Sequence, residues 1–256
     1  MFGYIKEDES RCYPLTKMDG DFHEMLMNIT VHHLLKGEVK EFTFDKEEAA
    51  YLLVNGHVVY LWDDKKEEAV RSDFINEGPY CLHTSYGRKV TIKAIEDSEI
   101  LIQSTTNEKA FVSIFYKPSD CKEMISGEGY FNNKARRIVR TIFDYHNASY
   151  SNLVMGEVVS EQGGWSSYIP HHHPQPEVYY YRYQRPEGFG ACFIGDHVFK
   201  VTDKSFCAIP GGYTHPQVSA PGYPMYYCWM IRHLAEEAWT TRIDDERYLW
   251  LLSDNV

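Results

Sequence analysis

Basic residues are scarce in this chain. Lysine and arginine together number 26 against 37 aspartates and glutamates, a formal net charge of -11 over 256 residues. No Lys/Arg cluster offsets that balance, so binding to nucleic acid through phosphate neutralisation is not expected. Nothing reads as a helix-turn-helix module. A locally basic pocket could still take a small anion. Long apolar runs are also missing. Stretches such as Tyr226 to Ile231 fall far short of the roughly 20 residues that span a bilayer, so no membrane partner is expected. The first residues carry Lys6, Glu7, Asp8 and Glu9 and no apolar stretch, and do not read as a signal peptide. The six cysteines are widely spaced without a C-x-x-C pair. That argues against a disulfide framework or zinc ribbon and predicts a reducing, cytoplasmic location.

Tyrosine, by contrast, is abundant at 20 residues, and aromatic-rich chains with many short apolar runs lean towards strand. Residues 50–62 show two apolar runs around Asn55-Gly56, which predicts a two-residue hairpin. Residues 63–69, DDKKEEA, read as an exposed loop, and strands are expected over 90–95, 99–105 and 110–116. The pattern lapses over 117–137, where polar residues, glycine and proline predict a linker. Strands resume from Asn152, and only residues 233–252 suggest short helix. Two blocks of short strands predict an all-β protein of two sandwich or barrel domains, residues 1–130 and 131–256.

The densest chemistry lies in GGWSSYIPHHHPQPEVYYYRY, residues 163–183. Alternate side chains of a strand share a face. His171 and His173 therefore point together and His172 away, although a register using His172 stays open. Glu177 shares their parity if no bulge intervenes at Pro174 and Pro176. Downstream, Pro210-x-Gly212-x-x-His215 combines a turn with one more imidazole. Neutral imidazoles with one carboxylate are what a divalent transition metal needs. His171, His173, Glu177 and His215 are thus candidate ligands. Parity also places Tyr179, Tyr181 and Tyr183 on the ligand face, with Tyr180 and Arg182 opposite. Tyr179 and Tyr181 are candidates for proton relay or substrate hydroxyl contact. Gln217 and Arg182 are candidates for substrate binding, since a substrate carboxylate would want a guanidinium and Arg182 and Arg185 are the nearest in sequence.

In order and internal spacing, H-x-H-x(3)-E followed by P-x-G-x(2)-H resembles the two metal motifs of the cupin superfamily. The resemblance extends to the 5-deoxy-glucuronate isomerase family of bacterial inositol catabolism. It rests on Trp165-Ser166-Ser167-Tyr168, Pro170-His171, Glu177, Tyr179 to Arg182, Gly188-Phe189-Gly190, His215-Pro216, Ala220 to Tyr223, Tyr226-Tyr227 and Trp229-Met230, over about residues 150–235. Where that family has lysine between the histidines, this chain has His172, and the loop before Glu177 is short. The resemblance implies a bicupin (two tandem jelly-roll domains), its N-terminal domain degenerate and without metal. It further implies one divalent metal ion, zinc or manganese first, with iron or nickel also compatible. The implied reaction interconverts 5-deoxy-glucuronate and 2-deoxy-5-keto-gluconate, with a small sugar acid as partner. The 4-deoxy-5-keto-uronate isomerase of pectin breakdown is similar in fold and motif. Three histidines and a glutamate could equally hold iron for an oxygenase, and a non-catalytic sugar-binding cupin is a further alternative. A homo-oligomer stays open.

Overall fold

The computed structural model describes residues 1–252. Strands dominate, and among the described residues the only helices are short 3-10 turns, in line with the all-β expectation. No helix among the described residues is long and apolar enough to cross a membrane. The chain divides into two compact units. One comprises Lys6–Cys121 and Asn147–Leu153, and the other comprises Met1–Ile5, Lys122–His146 and the chain from Val154 onward. The expected division after residue 130 therefore falls inside the second unit. The expected linker holds a strand, Lys122–Ser126, paired antiparallel with Arg137–Phe143. It is the last strand of its sheet and largely exposed, which is why its sequence is polar enough to resemble a connection.

In the first unit the predicted hairpin at Asn55-Gly56 does not form. Glu47–Trp62 is one continuous strand. Its first part pairs with Ser98–Thr106 and Tyr80–Thr84, and its second part with Lys65–Arg71 and Lys89–Ala94. Asn55-Gly56 marks the crossing between the two sets of partners. Gly56 has φ +119°, and a Cβ there would lie 2.6 Å from the Ser98 Cα, so glycine serves a bend and a close approach. The true turn is Asp63-Asp64, with φ of 45° and 60°, the left-handed pair that two-residue hairpins need. The predicted loop 63–69 is largely strand. Ala69 and Arg71 are buried while Val70 is exposed, a period-2 pattern that charge had masked. The strand expected over 110–116 shrinks to Ile114–Tyr116.

The second unit carries the histidine-rich stretch. Its larger sheet runs in the order Phe2–Tyr4, Ser205–Ile209, Glu177–Arg182, Met225–Arg232, Leu153–Ser160, Arg137–Phe143 and Lys122–Ser126. A four-stranded sheet is built from Trp165–Ser166, Gln217–Ser219, Phe189–Ile194 and His197–Thr202. Side chains of both sheets, among them Tyr181, Tyr183, Cys192, Ile194, Val201 and Met225, share one buried cluster. His171–His172 pairs with Ile243–Asp244. Of the tail expected to be short helix, only Glu246–Leu252 forms a helical turn.

Candidate metal centre

Of the ligand candidates, Glu177 lies in a strand of the larger sheet, His171 in the two-residue strand His171–His172, and His173 and His215 in loops. Glu177 opens the strand Glu177–Arg182 in mid-sheet, opposite Ile209 on one side and Ile231 on the other. Its carboxylate is therefore buried. His171 and His173 come from the segment that leads into this strand. His215 follows the turn at Gly212, whose φ is +87°. At the neighbouring Gly211 a Cβ would meet the Pro174 carbonyl oxygen at 1.9 Å, so only glycine lets the two loops that carry the candidate ligands approach. One ligand atom each from His173, Glu177 and His215 lies within 4.8 Å of the others. The His171 ring stands beside them, its centroid 4.9 Å from that of His215. His172 is not in this cluster. It faces a different cavity, lined also by Tyr213 and Asp245.

Each of the three imidazoles is held by its Nδ1. His171 Nδ1 lies 2.9 Å from the Ile169 carbonyl oxygen, His173 Nδ1 2.9 Å from that of Gln175, and His215 Nδ1 2.9 Å from that of Tyr213. A carbonyl oxygen only accepts, so each Nδ1 carries the proton and each Nε2 presents a lone pair. Burial lowers the pKa of His215 and, more strongly, that of His171, where the neighbouring His215 acts in the same direction. Both rings are thereby held neutral. Yet Nε2 of His173 and Nε2 of His215 each lie 3.3 Å from Oε2 of Glu177. Three acceptor atoms converge with no hydrogen between them, an arrangement that a shared cation satisfies. The donor set of nitrogen and carboxylate oxygen suits a borderline divalent ion.

Of the other candidates, Tyr179 is at the centre. Its hydroxyl donates to Glu177 Oε2 at 3.1 Å and lies 3.2 Å from the Ser167 hydroxyl. Burial raises its pKa well above the usual tyrosine value, with the Glu177 charge adding to the effect. Tyr181 and Gln217 are elsewhere. The Tyr181 hydroxyl donates to Gln217 Oε1 at 2.6 Å, and Gln217 Nε2 donates to the His215 carbonyl at 2.7 Å. Both are fully buried, so they brace the His215 segment and do not line the cavity. Arg182 also lies off the cavity, its Nε donating to Asp203 at 2.8 Å, as its parity on the strand anticipates. Arg185 is exposed beside Glu187.

The cavity over the cluster, about 350 Å³, takes its walls from residues that the motif does not contain. Arg137, Val139 and Thr141 come from one strand, Tyr227 and Trp229 from another, and Trp239 to Arg242 from the segment after the last long strand. The Trp239 ring packs against Trp229 at 5.7 Å and His173 at 6.1 Å. The alternation Arg137, Val139, Thr141 was readable in the sequence. What pointed it at the cluster was strand pairing across the sheet.

A family model described as the KduI/IolB family matches residues 4–251. The chain belongs to the KduI/IolB family. The 5-deoxy-glucuronate isomerase of Bacillus licheniformis is 26% identical over 212 residues, covering 76% of each chain. That of Lacticaseibacillus casei is 25% identical over 226 residues, covering 78% of this chain and 82% of the relative. Among solved structures, an IolB-like protein from Salmonella typhimurium superposes with a TM-score of 0.88 at 19% identity, covering 98% of each chain. A variant of the Bacillus subtilis oxalate decarboxylase OxdC gives a TM-score of 0.71 at 11% identity, over 97% of this chain and 80% of that one. Likeness at these identities speaks to the fold. This KduI/IolB-family protein has a cupin fold, as the motif spacing implied.

Proposed function

We propose that this KduI/IolB-family protein is a metal-dependent sugar-acid isomerase that interconverts 5-deoxy-glucuronate and 2-deoxy-5-keto-gluconate. It is an isomerase, and its partner is a small molecule. The curated relatives named 5-deoxy-glucuronate isomerase support the reaction. The observation that carries the metal reading is the convergence of His173 Nε2, His215 Nε2 and Glu177 Oε2, each nitrogen being the unprotonated one. His171 completes the ligand set in this reading, and zinc or manganese suits it. The N-terminal unit holds no metal in this reading. There His83 and Glu48 are fully buried and 3.0 Å apart, and the Glu48 carboxylate also accepts from Asn107, Ser151 and the Asn152 amide. The enzyme works in the cytoplasm.

An aldose–ketose isomerisation moves a proton between neighbouring carbons and shifts a carbonyl, with no net redox change. A bound divalent ion supplies Lewis acidity for the carbonyl and hydroxyl oxygens. The chain's own residues do the rest. Tyr179, neutral because its pKa is raised, donates to Glu177 and fixes that carboxylate's orientation. Ser167 in turn sits on the Tyr179 hydroxyl. Trp229, Trp239 and Tyr227 line the cavity and exclude water, which strengthens each polar contact within it.

The deciding experiment incubates the purified, metal-analysed protein with 5-deoxy-glucuronate and, separately, with 4-deoxy-5-keto-uronate, while following oxygen. Ketose formation from the first substrate without oxygen uptake is expected. Turnover of the second alone would move the activity to the pectin-breakdown reaction, and oxygen consumption would make the protein an oxygenase.

A further inference from the structure

We propose that Arg137 is the anion anchor of the cavity, the guanidinium that takes the substrate's carboxylate and so selects acids over neutral sugars. The identity of the substrate rests on the isomerase reading, whereas the anion site does not.

Arg137 opens the strand Arg137–Phe143 and faces the cavity together with Val139 and Thr141. Only 6% of it is exposed. Its Nη1 donates to the Ala135 carbonyl at 2.7 Å and its Nη2 reaches that of Tyr168 at 3.5 Å. Among the described residues no carboxylate pairs with it. Two other arginines of the same unit, one buried and one half-buried, differ in this respect. Arg140 donates to Glu123 at 2.9 Å and Arg182 to Asp203 at 2.8 Å. A guanidinium shut away from water without a counter-ion is costly to fold, and such charges are ordinarily paired. Burial pulls its pKa down, the neighbouring Tyr227 and Tyr179 oppose that shift, and the like charge of Arg242 acts with burial. In a chain with net charge -11, a lone buried cation at a cavity wall has one evident partner, an anion that enters the cavity.

The placement is built. Gly127, with φ +74°, sits where a Cβ would lie 2.2 Å from the Ala135 carbonyl oxygen and 3.1 Å from Arg137 Nη1. Glycine therefore leaves room for the carbonyl that aims the guanidinium. The Tyr168 carbonyl that Arg137 approaches precedes the Ile169 carbonyl that holds His171. The guanidinium and the His171 imidazole thus hang from consecutive carbonyls. A short sugar acid with its carboxylate on Arg137 would lay its remaining oxygens towards His173, Glu177 and His215. Arg242 also lines the cavity, but it is exposed and bound to Asp244 at 2.9 Å, so it serves as a second, screened cation. A planar fork matches a carboxylate bidentately, as lysine cannot.

The test compares binding of D-glucuronate and its uncharged amide, D-glucuronamide, by calorimetry. The full chain is used as purified and again after chelation, so that preference of the carboxylate for a metal ion is scored separately. Wild type is expected to prefer the acid by about 10- to 100-fold, the range for a charged hydrogen-bonded pair. In Arg137→Met the preference should collapse to near unity with metal content unchanged. Wild type without acid preference, or Arg137→Met with full preference, overturns the assignment. Should Arg137→Met fail to fold, Arg137→Lys keeps the charge and loses the fork. A several-fold drop in acid preference is expected there, and none would overturn the proposal. Acid preference intact without any ketose product would sink the isomerase reading and leave Arg137 in place.

Discussion

Replacing Gly156 by alanine tests how the aromatic wall of the cavity is seated. Gly156 lies in the strand Leu153–Ser160, beside the strand that carries Trp229. A Cβ there would meet Trp229 Cζ2 at 2.3 Å, Trp229 Cε2 at 2.4 Å and the Arg140 carbonyl oxygen at 2.7 Å. Carbon atoms rest at about 3.5–4.0 Å, so the indole must move by about 1 Å or more. The carbonyl belongs to a paired strand and cannot yield. Trp229 is pressed in turn against Trp239, and Trp239 against His173, so the displacement runs towards a candidate ligand. Overpacking of this kind costs about 1–3 kcal/mol, which for a chain of this size lowers the melting temperature by about 2–10 °C. The assay is a double-mutant cycle by denaturant unfolding, combining Gly156→Ala with Trp229→Phe. The smaller ring lacks the clashing indole atoms, so the alanine should cost at least about 1 kcal/mol less in that background. Strict additivity, or a Gly156→Ala protein with wild-type stability and wild-type KM, would refute the reasoning.

His215→Ala should abolish metal binding and activity together, read by metal analysis of the purified variant and product formation. Full activity in that variant would sink the ligand assignment. Tyr179→Phe removes the hydroxyl that donates to Glu177. Metal affinity should fall by about 10-fold, the lower end for lost outer-shell contacts, measured by chelator competition, and an unchanged affinity would separate Tyr179 from the ligand set. In the N-terminal unit His32 has its pKa lowered from 6.5 to about 4, first by burial and then by the Lys40 charge, and Lys40 Nζ donates to its Nδ1 at 3.1 Å. The unfolded chain binds a proton below pH 6.5 that the folded one refuses until about pH 4. The stabilisation is therefore complete above pH 6.5 and is lost as pH falls towards 4. About 2–3 kcal/mol should disappear between pH 7 and pH 4.5. His32→Gln should flatten that slope in urea unfolding, and an unchanged slope would place the acid sensitivity elsewhere.

What could be read without coordinates was local. Alternation along Glu177–Arg182 put Glu177 and Tyr179 on one face and turned Arg182 away, because the period-2 geometry of a strand is a property of the backbone, whereas His171 and His173 reach Glu177 from outside that strand. The turn before His215 was likewise legible, since Gly212 declares its left-handed φ by its identity. Tyr181 and Gln217 shared the correct face, yet they bond to each other beneath it. Parity assigns a side and says nothing about depth. Asn55-Gly56 was misread for a related reason. A glycine required for a close approach to Ser98 looks, in sequence, like one required for a turn.

The strand content, the motif spacing and the family resemblance were thus determined by the sequence alone. Only the tertiary structure decided that Arg137, Trp229 and Trp239, from segments up to about a hundred residues apart, wall one cavity with the histidines. Strand order in a sheet is a pairing between distant segments, and no local periodicity encodes it. The buried guanidinium without a counter-ion became visible only once every neighbour that could have neutralised it was in place.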